Sequence, residues 1–330
     1  MTLKEIAVGA VGKGRLAGAL AGLAAMALLE TMPAARGDTI IWANDARGNG
    51  SIIEAFDVNE AAGTGMLTTS FAAPNVGAQG HIGRGIAVVG SSIFYSVDNS
   101  GSVFLTNTGG ADLGVAFNTG LPGIGSIASD GQFLYLTPSN TPNNPAVSEN
   151  VYKYTFGGTL LGTTLLVPST GSLNSAVGRT GLEVVATDFV ANQGNNAGPY
   201  DQFDATGALL APAFIPGGFG PSGVTFDGTF YYTADVEAVP SIFNVYNVAG
   251  GFVKEISLTG CPGPNQLCDF QDLSVVVGPV PEPASFFLVA IGLLGFGSWR
   301  LWQTHDRPHP VRARAGYPRC SIFSAHQMVQ

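Results

Sequence analysis

One pattern of four short runs recurs along the chain and limits the folds that it can adopt. Each repeat starts with small or β-branched residues, continues with an aromatic-rich run and an alternating run, and ends with a fourth run. Asp-Gly pairs, which favour hairpins, follow two of the first runs. The first runs are GIAVVG from Gly85, IGSIAS from Ile124, GLEVVA from Gly181, SGVTFD from Ser222 and DLSVVV from Asp272. Four strands per repeat are typical of a β-propeller blade.

The two ends of the repeat region complement each other. Residues 39–45, 51–58 and 66–71 match second, third and fourth strands, whereas residues 272–277 match a first strand that lacks the other three. Pairing these ends would complete a fifth blade and remove exposed sheet edges. The predicted fold class is therefore all-β, a β-propeller of about five four-stranded blades closed by N- and C-terminal strands. A β-sandwich or a solenoid is the alternative, since both also show short, regularly spaced strands.

Composition supports strands rather than long helices and narrows the choice of partners. Only 11% of residues are charged, 45% are hydrophobic, and 46 glycines are present. Residues 38–278, the predicted propeller domain, contain 5 basic and 19 acidic residues, a net charge of −14. This acidic body argues against nucleic acid as a partner.

The N-terminal segment has the pattern of a secretory signal peptide. Lys4, Lys13 and Arg15 precede an uncharged apolar run at residues 16–29, and small residues follow it. We expect residues 1–37 to be removed by signal peptidase during export.

A second apolar segment lies near the C-terminus. Residues 284–299 are uncharged and would span about 24 Å as a helix, which is just enough for a bilayer core. Arg300 follows it, and further arginines favour a cytoplasmic C-terminus. Val280, Pro281, Glu282 and Pro283 precede the helix, and the prolines keep this motif extended.

The Val-Pro-Glu-Pro motif, the apolar helix and Arg300 resemble the PEP-CTERM sorting domain of Gram-negative bacteria. The resemblance covers residues 279–302. It implies a transient inner-membrane intermediate, processing by an exosortase, and delivery to the cell surface or extracellular matrix of an exopolysaccharide-producing cell. Residues 303–330 depart from the family pattern, which usually ends soon after the basic cluster, and we expect a disordered basic tail there.

Four polar residues end predicted second strands and are candidate ligands on one rim. Asp45, Asp98, Asn192 and Asp235 could bind Ca²⁺, which prefers several oxygen ligands, or the hydroxyls of a sugar. The alternative is that they cap strand ends by bonding their own backbone.

Other candidate residues carry positive charge or sulfur. Arg84 and Arg179 stand just before first strands, at positions that we take as equivalent, and could bind an anionic sugar or form structural ion pairs. Cys261 and Cys268, the cysteines of the body, are expected to form a disulfide in an exported protein. No nucleophile elbow or zinc-protease helix is present in the sequence.

These features favour an exported β-propeller that binds exopolysaccharide, another carbohydrate or a surface protein without catalysis. No catalytic residue is assigned, and no cofactor is expected apart from the candidate Ca²⁺. The alternative is a Ca²⁺-dependent propeller hydrolase, lactonase-like or a glycosidase with paired carboxylates in the central channel. Glu183 is the one acidic residue that we find inside a first-strand run.

Overall fold

The computed structural model describes the body of the chain. The described residues are 39–47, 50–74, 82–139, 149–167, 179–194, 197–217, 220–235, 241–261 and 267–277. The predicted signal peptide, sorting segment and basic tail lie outside them. Within these ranges, no helix is long and apolar enough to cross a membrane.

Twenty β-strands make up the described part of the chain, which confirms the all-β prediction. Every predicted strand is present, with ends displaced by at most a few residues. In chain order, the strands are β1 (Thr39–Asp45), β2 (Ile52–Asn59), β3 (Thr64–Ala72), β4 (Gly83–Val89), β5 (Ser92–Val97), β6 (Ser102–Asn107), β7 (Asp112–Asn118), β8 (Ile124–Ser129), β9 (Leu134–Pro138), β10 (Asn150–Tyr154), β11 (Leu160–Leu165), β12 (Leu182–Val185), β13 (Asp188–Gly194), β14 (Ala197–Phe203), β15 (Leu209–Ile215), β16 (Pro221–Phe226), β17 (Phe230–Asp235), β18 (Ile242–Asn247), β19 (Phe252–Thr259) and β20 (Phe270–Val277).

The strands form five antiparallel four-stranded meanders. Meander I contains β20 and β1–β3, and meanders II to V contain β4–β7, β8–β11, β12–β15 and β16–β19. Short parallel pairings of β19 with β3 and of β20 with β4 join meanders V, I and II into one twelve-stranded sheet. Meanders III and IV are separate sheets, and none of the three sheets closes on itself.

The two ends of the body pair with each other. Strand β1 is antiparallel to β20, with Ile41 opposite Val275 and Ala43 opposite Leu273. The predicted pairing of the terminal strands is therefore confirmed. Because β20 also contacts β4 on its other side, strands from both ends of the body are held within a larger sheet.

The first strands of the meanders contact one another in cyclic order. Strand β20 contacts β4, β4 contacts β8, β8 contacts β12, β12 contacts β16, and β16 contacts β20. The core follows the same order, because five hydrophobic clusters lie between successive meanders. Aromatic pairs cross these junctions, as in Phe56 with Phe243 at 5.7 Å and Tyr135 with Phe189 at 5.8 Å.

The turn between the third and fourth strands carries the same glycine feature in every meander. Each turn contains a glycine with positive φ, and each packs against the fourth strand of the preceding meander. These glycines are Gly63, Gly110, Gly158, Gly207 and Gly250. A Cβ at Gly250, for example, would overlap the carbonyl oxygen of Phe214. Only glycine combines this φ with such a close approach.

Candidate functional site

A buried carboxylate lies where the first strands converge. Asp272 of β20 is fully buried, and its Oδ2 accepts hydrogen bonds from the backbone N–H groups of Ile86 at 3.1 Å and Ile127 at 3.0 Å. The Ser126 hydroxyl donates to the same oxygen at 2.8 Å, and the Leu273 N–H donates to Oδ1 at 3.1 Å. Asp272 thus links meanders I, II and III through one side chain.

Glycines on neighbouring first strands leave little space around Asp272. A Cβ at Gly223 would lie 2.8 Å from the Asp272 Cα, and one at Gly85 would lie 2.6 Å from the Ile127 nitrogen. Burial raises the pKa of Asp272 well above its usual value, although its four hydrogen bonds act in the opposite direction. The carboxyl group is therefore enclosed and not open to a ligand.

Three first strands carry a polar side chain that accepts a hydrogen bond from the backbone of the next meander. On β20 this residue is Ser274, two residues after Asp272. Glu183 Oε2 accepts the Phe226 N–H at 3.1 Å, Thr225 Oγ1 accepts the Val275 N–H at 3.0 Å, and Ser274 Oγ accepts the Val88 N–H at 3.0 Å. Burial raises the pKa of Glu183 to about 7. These side chains satisfy backbone donors that the first strands would otherwise leave unpaired.

The sequence prediction that Glu183 is the one acidic residue inside a first-strand run was wrong. Asp272 is the third residue of β20 and is fully buried. It was overlooked because a polar residue at the start of an apolar run resembles a turn residue. Its hydrogen-bond partners Ile86 and Ser126 are distant from it in sequence, so no local sequence pattern predicts the buried cluster around Asp272.

Asp45 belongs to a buried ion-pair cluster rather than to an open rim. The Arg47 guanidinium donates to Asp45 Oδ2 at 2.7 Å and to Glu54 Oε1 at 2.7 Å. Burial raises the pKa of both carboxyls, and Arg47 opposes that shift. Asp45 and Glu54 also form, with Cys268, a triad whose potential ligand atoms lie within 4.8 Å of one another. The guanidinium already supplies the positive charge, and the cysteine sulfur is in a disulfide, so this donor set fits a metal poorly.

The other predicted rim residues contact their own meanders. The Asp98 Oδ1 accepts the Ile82 N–H at 2.8 Å, and the fully buried Asn192 accepts the N–H groups of Thr180 and Gly181 at 3.2 Å. Neither contact is a local bond to the residue's own turn, because each oxygen bonds to backbone at the start of the neighbouring first strand. Asp235 ends β17 and is 6% exposed.

The two predicted arginines do not occupy equivalent positions. Arg84 lies in β4, one residue before Gly85, whereas Arg179 precedes β12 and stands two residues before Gly181. Arg84 Nη1 donates to Gln271 Oε1 at 2.8 Å. Arg179 is fully buried and bonds to the carbonyl of Asn192, and burial lowers its pKa to about 10. Arg179 is therefore inaccessible to an anionic sugar.

Cys261 and Cys268 are joined by a disulfide, the pairing expected from the sequence, with their Cα atoms 5.5 Å apart. Cys268 is fully buried and packs in the cluster that contains Phe56 and Phe270. The disulfide closes the loop between β19 and β20 and so anchors the start of the strand that carries Asp272.

An open groove lies between meanders III and IV. It has a volume of about 360 Å³, within the range of small-molecule sites. Phe133, Tyr135 and Phe189 supply its aromatic surface, and Lys153 places its Nζ 4.0 Å from the centre of the Phe133 ring. Threonine hydroxyls and Gln132 add polar groups. No local sequence pattern indicates this groove, because its residues come from separate strands and turns.

Comparisons with known proteins identify the C-terminal segment. Residues 279–300 match the PEP-CTERM protein-sorting motif. No curated protein matches the chain. The chain is similar to a nidogen/laminin complex structure (13% identity, TM-score 0.46, covering 73% of this chain and 99% of that chain). It is also similar to a protein of unknown function from Bacteroides caccae (9% identity, TM-score 0.45, covering 73% and 99%) and to glutaminyl cyclase from Myxococcus xanthus (14% identity, TM-score 0.41, covering 54% and 72%).

The matched residues include Val280, Pro281, Glu282, Pro283 and Arg300, which lie outside the described residues. The motif indicates export, membrane-associated sorting toward the cell surface, and processing by an exosortase. The chain is thus identified by a PEP-CTERM sorting motif at residues 279–300, and its body has no other identified family.

Proposed function

We propose that this protein is exported, released at the cell surface or into the extracellular matrix by an exosortase, and acts there as a non-enzymatic β-propeller that binds carbohydrate or protein. The observation that carries the proposal is the sorting motif at residues 279–300. A signal peptide at residues 1–37 and a transient membrane helix after Pro283 would complete the export route.

The propeller is supported by two independent regularities. The first strands contact one another in cyclic order, and β20 closes that order by contacting both β16 and β4. The glycine turns repeat once per meander, each against its predecessor. Five meanders arranged around an axis would produce both features.

A binding role is supported by the state of the buried acids. Asp272 and Glu183 are buried and bonded to backbone N–H groups of neighbouring strands. A general acid or a nucleophile needs access to a substrate, and a Ca²⁺ ligand needs free oxygen lone pairs. Asp272 and Glu183 are better suited to holding the meanders together, and the groove at Lys153 is the more open feature.

Sorting can be tested with a matched variant in the native host. The wild-type chain should be found in the surface or extracellular fraction at a mass consistent with cleavage near Pro283. A chain with Pro281, Glu282 and Pro283 all replaced by alanine should remain in the membrane fraction at higher mass. A control with three alanines in the tail, at residues 322–324, should behave as wild type. Identical fractionation and mass of the motif variant and the wild type would contradict the proposal.

A further inference from the structure

We propose that the groove between meanders III and IV binds a carboxylate-bearing sugar, with Lys153, which lies over the Phe133 ring, pairing with the carboxylate and threonine hydroxyls bonding to the sugar. This inference rests on the proposed binding function and specifies its ligand class and location. The described residues contribute a cation, an aromatic surface and hydroxyl groups to one open space.

Lys153 lies against two aromatic side chains of the groove. Its Nζ lies 4.0 Å from the centre of the Phe133 ring and 5.1 Å from that of Tyr135. Among the described residues, no carboxylate lies within ion-pair distance of this ammonium group. Arg47, by contrast, is paired with Asp45 and Glu54. An ammonium group on an open groove, without an acidic partner among the described residues, is suited to an anion from outside.

Asp130 is the one acidic residue among those that line the groove. Asp130 Oδ1 accepts the N–H groups of Gln132 and Phe133, both at 2.8 Å, and Oδ2 accepts the Tyr135 hydroxyl at 2.7 Å. Its lone pairs are used to hold the turn that presents Phe133. Asp130 therefore fixes the aromatic surface and is not positioned to neutralise Lys153.

Residues of the β12–β13 turn line the groove on the side of meander IV. Ala186 lies in the β12–β13 turn with a φ of 57°, a left-handed conformation that costs a residue with a Cβ about 1 kcal/mol or more. Thr187 follows it and is exposed at the groove, opposite Thr163 and Thr164 of β11. Hydroxyl groups on two walls can bond to the hydroxyls of a sugar whose carboxylate pairs with Lys153.

A neutral glycan would use the hydroxyl groups of the groove but would leave Lys153 without an anionic partner. A hexuronic acid unit uses both the hydroxyl groups and the ammonium group. The observations therefore favour an acidic polysaccharide, and a neutral glycan becomes an outcome of the test.

The test measures binding of tetragalacturonate, its methyl ester and neutral cellotetraose to the full-length protein by isothermal titration calorimetry. We expect tetragalacturonate to bind, and both uncharged oligomers to bind at least 10-fold more weakly. Lys153→Met keeps the aliphatic stem over Phe133 and should weaken tetragalacturonate binding at least 10-fold without changing the Tm. Lys254→Met, a matched lysine on β19 that bonds to the Glu60 carbonyl, should bind as wild type.

Phe133→Leu provides a second variant and should also weaken binding about 10-fold. Phe252→Leu removes an exposed phenylalanine of β19 and is its control. Equal affinity of wild type and Lys153→Met, equal affinity for the acid and its ester, or no binding of tetragalacturonate would each overturn this inference. None of these results would overturn the proposed function, which fails separately if the motif variant sorts and is processed as wild type.

Discussion

Replacing Asp272 by alanine should destabilise the body more than any exposed aspartate substitution. The change removes the acceptor for the N–H groups of Ile86 and Ile127 and for the Ser126 hydroxyl, all of them buried. A buried donor without a partner costs about 1–3 kcal/mol, so three donors cost about 3–9 kcal/mol. Removing an enclosed carboxyl recovers part of this cost. We expect a net loss of about 3–5 kcal/mol, a large share of the stability of a typical domain.

The assay is urea unfolding at pH 7, followed by tryptophan fluorescence and circular dichroism. A loss of this size should lower the Tm by about 10 °C. Asp272→Asn keeps a side-chain oxygen as acceptor for the three donors from meanders II and III and loses only the hydrogen bond from the Leu273 N–H. Its free energy of unfolding should therefore be within about 2 kcal/mol of the wild-type value. Asp112→Ala, an exposed aspartate on β7, is the control and should cost about 0.5 kcal/mol.

The ranking of these variants tests the reasoning. If Asp272→Ala and Asp112→Ala unfold at the same urea concentration, Asp272 does not link three meanders. If Asp272→Asn is as destabilised as Asp272→Ala, then the side-chain oxygen that accepts these hydrogen bonds does not account for the contribution of Asp272 to stability. Either result would refute the assignment of Asp272 as the central connection.

Three further predictions follow from individual contacts. The pKa of about 7 for Glu183 means that the folded state holds a proton that the unfolded state has lost above about pH 4.5. Stability should therefore fall as pH rises from 4.5 to 7, and Glu183→Gln should reduce that fall by about 3 kcal/mol in urea unfolding; an unchanged pH profile would contradict this. Gly250→Ala should cost at least about 2 kcal/mol more than Gly228→Ala, because both have positive φ but only Gly250 meets a neighbouring carbonyl; equal Tm values would exclude the proposed clash. Reducing the Cys261–Cys268 disulfide should lower the unfolding free energy by about 2–3 kcal/mol, and identical urea midpoints with and without reductant would argue against it.

The strands and their order were predictable because local patterns encode them. Alternating and aromatic runs bounded by turn residues identified all twenty strands, and the incomplete repeats at the ends predicted the β1–β20 pairing. The turns between third and fourth strands also have a sequence pattern, an Asn or Asp three residues before a glycine, that was not recognised in the sequence. Asn107, Asp204 and Asn247 each stand three residues before a positive-φ glycine and accept backbone hydrogen bonds within the turn.

The sites were less predictable because they depend on contacts between distant segments. Arg47 was passed over, although it stands two residues after Asp45 and pairs with it. Arg84 and Arg179 have similar sequence contexts, but their positions relative to the following glycine differ by one residue. Arg84 therefore bonds to the Gln271 side chain, whereas Arg179 bonds to the Asn192 carbonyl. Lys153 gave no sequence signal, since its partners Phe133 and Tyr135 belong to other strands and turns of meander III.

Amide hydrogen exchange measured by mass spectrometry tests the closure of the body most directly. Strand β20 lies between β1 and β4, and β1 lies between β2 and β20, so neither strand has a free edge where they pair. Peptides covering 39–45 and 270–277 should exchange together and as slowly as the most protected strands, through global unfolding. Rapid exchange of 270–277 while 39–45 stays protected would contradict the closed arrangement from which the central role of Asp272 follows.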